Sequence, residues 1–188
     1  RKNLLQELSR RLPDFRCFFA PTQENYEIMP EPGELLYWGV ATFVKSGIEV
    51  GEQGSFFLCN GYNTYQPKDY STLGFNLLHV NVEINSAPLT ICNLHGISEP
   101  GNKLDSPSRL TQSEKTIAFL KERPGEKIVM GDFNLFPNTQ SINMFEEAGF
   151  RNLVKEYDIQ TTRGSLMRKL FPHYGLDPGG FHEFADYT

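Results

Sequence analysis

The chain has 188 residues, a length that suits one domain, and nothing in its composition marks a linker, a repeat or a low-complexity tract. A net charge of −5 argues against a broad electrostatic grip on nucleic-acid phosphates, which is driven by clustered Lys and Arg. No apolar run approaches the roughly 20 residues needed to span a bilayer, and the 13% aromatic share is ample for a two-sheet core.

In chain order, Leu4, Leu8 and Leu12 recur at helical spacing within residues 1–12, with Glu7, Arg10 and Arg11 on the other face. This predicts a surface helix closed by Pro13, on which Glu7 of the Gln6-Glu7 pair is solvated. Cys17, Cys59 and Cys92 form no metal-type spacing and no disulfide framework, which favours a reducing, cytoplasmic compartment. Cys92 falls on a predicted strand face as a small core residue. Tyr62, Tyr65 and Tyr70 stand among Asn, Gly and Pro in the loop 60–71, where they either pack its base or stack nucleobases along a groove.

Residues 75–84 alternate into an apolar strand in which His79 is a sheet residue, Asn85-Ser86-Ala87-Pro88 reads as a turn, and residues 89–94 make a second strand of a hairpin. Leu89, Ile91, Asn93 and His95 share one side of it. His95 lies at the strand's end and Gly96 follows. Residues 108–123 then read as an amphipathic helix, with Leu110, Ile117 and Leu120 opposite Glu114 and Lys115.

The stretch Lys127-Ile-Val-Met-Gly-Asp-Phe-Asn134 contains a continuous apolar run, the pattern of a strand covered on both faces, and Gly131 ends it. If the chain stays extended past the glycine, Asp132 and Asn134 project to one side. The alternative is a strand-to-loop turn with an Asx-type hydrogen bond. Oxygen donors of this kind suit hard cations such as Mg²⁺ or Mn²⁺. Strand, helix, strand is a crossover that makes the two strands parallel, so His95, Asp132 and Asn134 arrive at one sheet edge, where ligands bind in open α/β sheets.

Toward the C-terminus, Arg163, Arg168 and Lys169 read as a solvated face or as the flank of a substrate phosphate. His173 and His182, near Asp177, follow no structural-zinc spacing, and Phe184, Asp186 and Thr188 alternate as a strand.

Together these segments resemble the endonuclease/exonuclease/phosphatase superfamily, which includes deoxyribonuclease I. Asn93-Leu-His-Gly96 looks like its strand-terminal histidine motif and Gly131-Asp-Phe-Asn134 like its Gly-Asp-x-Asn motif. Trp38-Gly-Val-Ala-Thr-Phe-Val-Lys45 resembles the strand after its first large loop, and Phe184-Ala-Asp-Tyr187 its late acidic segment. The resemblance implies a four-layered α/β/β/α sandwich, with two packed mixed sheets under outer helices. The family's Gln-Glu strand, whose Glu is the principal Mg²⁺ ligand, and its Ser-Asp-His terminus are not found. The chain is therefore expected to be one domain, residues 1–188, truncated at both ends and a poor enzyme by itself.

The activity implied is hydrolysis of a phosphate ester by in-line attack of water, with Mg²⁺, or Mn²⁺ in its place, as cofactor. The substrate class, nucleic acid, phospholipid or sugar or inositol phosphate, is left open, and a monomer is expected. By resemblance, Asp132 orients or deprotonates the water or holds a metal, and Asn134 fixes that geometry, donates to a phosphate oxygen and joins Asp132 as a metal ligand. His95 donates to the non-bridging oxygens, and Asp186 holds a histidine in its tautomer. The competing expectation is a non-catalytic binding module that keeps the fold.

Overall fold

The computed structural model describes residues 3–25, 35–99, 102–164, 166, 184 and 186–187. Arg168, Lys169, His173, Asp177, His182 and Thr188 lie outside the described residues. Helix α1 (Leu4–Arg11) is capped by Asn3, whose side chain accepts from the Gln6 amide, and Glu7 pairs with Arg10 and Arg11 at 2.9 and 2.8 Å. Those two guanidinium groups hold the Glu7 carboxyl below its usual range. Glu7 thus lies with its two arginines on the polar face, as the spacing predicts. The apolar stripe is displaced by one position, however: Leu4 is 69% exposed, and the half-buried leucines are Leu5, Leu8 and Leu12.

Strands β1 (Phe15–Glu24) and β2 (Tyr37–Lys45) pair antiparallel, with a register shift between Pro21 and Gln23. The second sheet contains β3 (Glu49–Cys59), β4 (Phe75–Ile84), β5 (Ala87–His95), β6 (Glu126–Asp132) and β7 (Asp186–Tyr187), in that order. It is mixed: β5 and β6 run parallel and the other neighbours antiparallel.

The β4–β5 hairpin turns more tightly than the sequence suggests. Its loop is Asn85-Ser86 alone, both at positive φ (51° and 61°), while Ala87 and Pro88 already pair with Ile84 and Glu83. Two left-handed residues match the strand twist, which is why this two-residue turn closes hairpins.

Helix α2 (Pro107–Lys121) links β5 to β6, with Ser106 accepting from the Arg109 amide and Pro107 in the first turn, where its missing N–H costs nothing. It packs with α3 (Gln140–Glu147) and α4 (Leu153–Glu156) over one face of the mixed sheet. There Leu58, Leu77, Cys92, Leu94, Ile117, Leu120, Val129, Phe133, Leu135, Ile142, Phe145 and Val154 form the main core. Burial pushes the Cys92 thiol up to about 12, so it behaves as a small core residue. On the opposite face Val44, Val80 and Val82, with Phe18, Leu89 and Ile91 against them, join the two sheets. The result is an α/β sandwich of two packed sheets with flanking helices.

The strand β6 is not covered on both faces. Val129 is 9% exposed under the helices, whereas Ile128 on the other side is 37% exposed, because the two-stranded sheet packs over β4 and β5.

Candidate active site

The parallel register of β5 and β6 makes His95 and Asp132 direct Cα partners at the ends of their strands, and the antiparallel register of β7 makes Asp186 the Cα partner of Asp132. Three motif residues therefore occupy one row across three adjacent strands. The strand ends approach closely: the Gly96 amide donates to the Asp132 carbonyl oxygen at 2.6 Å. A methyl group on Gly131, whose φ is +128°, would sit 2.1 Å from the Leu94 carbonyl oxygen, so only glycine fits.

Beyond Asp132 the chain does not stay extended. Asn134 has φ +56°, and its backbone N–H donates to Asp132 Oδ1 at 2.9 Å, an Asx-type turn. This replaces the same-side projection expected from period two. The Asn134 side chain turns inward instead, 6% exposed. Its Nδ2 donates to the Gly96 carbonyl at 2.9 Å, and its Oδ1 accepts from Lys103 Nζ at 2.5 Å.

His95 is half-buried and meets the Phe75 ring edge-on at 5.3 Å. Burial lowers its pKa; the Asp132 charge works against this and the Lys103 charge adds to it, leaving the imidazole below its ordinary value and neutral at pH 7.

Sequence reasoning missed the group behind this row. Lys103 is only 8% exposed, and its loop is held from two sides. Arg109, 1% exposed, donates through Nε to the Ile97 carbonyl, and through its terminal nitrogens to the Leu104 and Asn102 carbonyls at 2.6 and 3.0 Å. Asp105 accepts from the Gln140 and Ser141 amides at 2.7 and 2.8 Å, capping α3 from outside its own sequence. Gln112 accepts from the Ile97 amide at 2.7 Å. The signal for Arg109 and Gln112 was present: stepping back from Leu120 by threes and fours gives Thr116, Gln112 and Arg109, all buried on the inner face. Leu110, chosen for the stripe on apolarity, is only half-buried. Nothing in the local sequence marks Lys103.

These donors do not by themselves make a divalent-cation site. Asp132 offers a carboxylate, but the Asn134 oxygen already faces an ammonium, and among the described residues no three His, Cys, Asp or Glu side chains converge.

Other singled-out residues lie apart or divide. His79 faces α2, its ring 4.8 Å from Phe119. Of the loop tyrosines, Tyr65 is buried with Leu73, Phe75 and Ile97, whereas Tyr62 and Tyr70 are 43% and 40% exposed. The Tyr62 hydroxyl donates a hydrogen bond to Glu24 Oε1 at 2.6 Å. A cleft of about 690 Å³ lies elsewhere, between the β6 edge, α3 and α4, lined by Val129, Phe145 and Phe150 among others. No helix among the described residues is long and apolar enough to cross a membrane.

No family model and no curated protein sequence matches the chain. Solved structures do match its fold. The human Nocturnin catalytic domain with bound sulfate aligns over 98% of this chain and 63% of its own, at TM-score 0.62 and 16% identity. An endonuclease/exonuclease/phosphatase family protein from Bacteroides thetaiotaomicron aligns over 80% of this chain and 52% of its own, at TM-score 0.58 and 16% identity. A mannosyl-6-phosphatase from the same organism aligns over 80% and 55%, at TM-score 0.58 and 15% identity. The chain thus spans between half and two thirds of the length of these structures. At such identities the match speaks for architecture, and it agrees with the two packed sheets, the parallel strand pair and the crossover helix between them: the chain has the fold of the endonuclease/exonuclease/phosphatase family, a deoxyribonuclease I-like sandwich.

Proposed function

We propose that this protein hydrolyses a phosphate ester by direct attack of water on phosphorus. The observation that carries the reading is the row His95, Asp132 and Asp186 at the C-terminal end of a parallel strand pair, with an amide and an ammonium directly behind it. Asp132 keeps one carboxylate oxygen for its turn and presents a half-buried carboxylate that orients the attacking water and takes its proton. Neutral His95 donates an N–H to a non-bridging oxygen, where negative charge builds in the transition state. Water forms the new P–O bond as the bond to the ester oxygen breaks, the leaving alkoxide takes a proton from solvent, and Asp132 returns to solvent the proton it took from the water.

The Asn134 amide ties the β6 turn to Gly96 and so keeps His95 and Asp132 in register. It acts as a positioning group, with its carbonyl oxygen engaged by Lys103. Asp186 adds a second acid to the row. Mg²⁺ or Mn²⁺, which the fold family implies, would find an oxygen ligand in Asp132, but the described donors do not complete its shell, and no step above depends on it.

The similar structures support phosphate-ester chemistry in general, since one is a mannosyl-6-phosphatase. Turnover of bis(p-nitrophenyl) phosphate and of p-nitrophenyl phosphate, with Mg²⁺ and with EDTA, tests the reading and sorts diester from monoester. Asp132→Ala should lower the rate by about 10²–10⁴-fold while unfolding stays cooperative; unchanged turnover would refute the role of Asp132. The incomplete cation shell favours a second reading, a binding module that retains the fold. It predicts phosphate binding without turnover of either ester.

A further inference from the structure

We infer that Lys103 is the resident positive charge of this site: its ammonium locks the Asn134 amide in one orientation and, from there, attracts the phosphoryl oxygens of the ester. The attraction rests on the phosphoester reading; the lock on Asn134 does not.

The geometry supports both parts. An amide whose oxygen faces an ammonium and whose nitrogen faces a carbonyl has one satisfied orientation, and rotating it would put N–H groups against Lys103 and an oxygen against Gly96. A lysine that is 8% exposed is costly to hold unless its position is enforced, and here it is: Arg109 grips the backbone on both sides of it through Asn102 and Leu104, while Asp105, two residues on, is anchored to the first turn of α3. The Phe136 amide donates to the Lys103 carbonyl at 2.9 Å, tying the same loop to the chain just past Asn134. These restraints fix a flexible side chain at its root, which is how a point charge on a four-carbon stem becomes a site element.

The charge reaches the reacting row. Asn134 Oδ1 accepts from Lys103 Nζ while its Nδ2 donates to the carbonyl of Gly96, the residue after His95, so one amide side chain separates the ammonium from the strand ends that carry the row. In a chain of net charge −5, a phosphate anion gains little from the general surface and depends on such a local cation. The disagreement with the expected metal shell has the same origin: the oxygen that a divalent cation would take at Asn134 is already given to an ammonium.

The test is to titrate the full chain, and its Lys103→Met and Lys103→Arg variants, with inorganic phosphate at low and high salt, recording the Asn134 side-chain amide signals by NMR. Lys103→Met should weaken phosphate binding about tenfold or more and shift the Asn134 signals, while Lys103→Arg recovers most of the affinity. Phosphate affinity and Asn134 signals both unchanged in Lys103→Met would overturn the inference. If that variant does not fold, Lys103→Arg decides: affinity kept within a few-fold supports the charge, and affinity lost with the charge present overturns it. Wild-type protein that binds no phosphate would sink the phosphoester reading itself and the attraction with it, and the Asn134 signals in Lys103→Met would still confirm or refute the lock.

Discussion

His79 and His95 lie on neighbouring strands and are both kept from protonating, for different ends. At His95 the neutral ring faces Asp132 and the row of site residues. His79, 6% exposed, packs on Phe119 with no hydrogen-bond partner for Nδ1, and the charged groups near it are Arg123 and Glu52, paired at 2.7 Å. Burial lowers its pKa most, the Arg123 charge lowers it further, and Glu52 opposes them. The folded protein therefore resists adding the proton that the unfolded chain accepts near about pH 6.5. The stability from a neutral His79 is fully present above that pH and is lost as pH falls through the unfolded pKa toward the lower folded one. Thermal melts at about pH 7 and about pH 5 should show a smaller acid loss in His79→Leu than in wild type; equal losses would place the acid sensitivity elsewhere.

At the scale of elements, α3 begins at Thr139 without a side-chain cap of its own, and Asp105, from the loop before α2, takes over that function. Burial works to raise the Asp105 carboxyl, but the bonds from Ser141 and Gln140, with the Arg109 charge, hold it below the usual range. Asp105→Ala should cost about 1 kcal/mol, the usual worth of a helix cap, and loosen the loop that carries Lys103. Chemical denaturation gives the first quantity and phosphate titration the second. A stability loss with phosphate affinity untouched would show that the loop holds Lys103 without this anchor. Helix α2 carries a similar lesson. Its buried face contains Arg109, Gln112, Ser113 and Thr116 as well as Ile117 and Leu120, since it both covers the sheet and organises the loop after β5. A stripe chosen by apolarity alone passes over the polar half of that face.

Across the whole molecule, the mixed sheet has a deep helix-side core and a sheet-side core that ends before β6, where Ile128 is left partly exposed. Stability should accordingly concentrate under the helices. Leu120→Ala, at a side chain that is 0% exposed in the main core, should cost about 2–5 kcal/mol, with β-sheet and helix signals lost in one transition. Ile128→Ala should cost less, because only part of its surface leaves water. Near-equal costs at the two positions would contradict this distribution of packing.

The order of elements was legible from the sequence because hydrophobic period and turn residues are local signals. The strand at residues 75–84, its partner ending at His95, the crossover helix and a strand after it all follow from spacing, and the crossover then makes the strands parallel; the last strand continues through Gly131, where the sequence reading ends it, as far as Asp132. That parallel pairing is what brings His95 and Asp132 together, so the core of the candidate site was determined by the sequence. The tertiary structure decided what stands behind it. The turn at Asn134 depends on a side-chain bond to Asp132, and the inward amide depends on Gly96 and on Lys103, which is 31 residues away. No window of sequence contains that contact. It exists because Arg109 and Asp105, on separate anchors, fold one loop back under the strand ends, where the Lys103 ammonium meets the buried Asn134 oxygen.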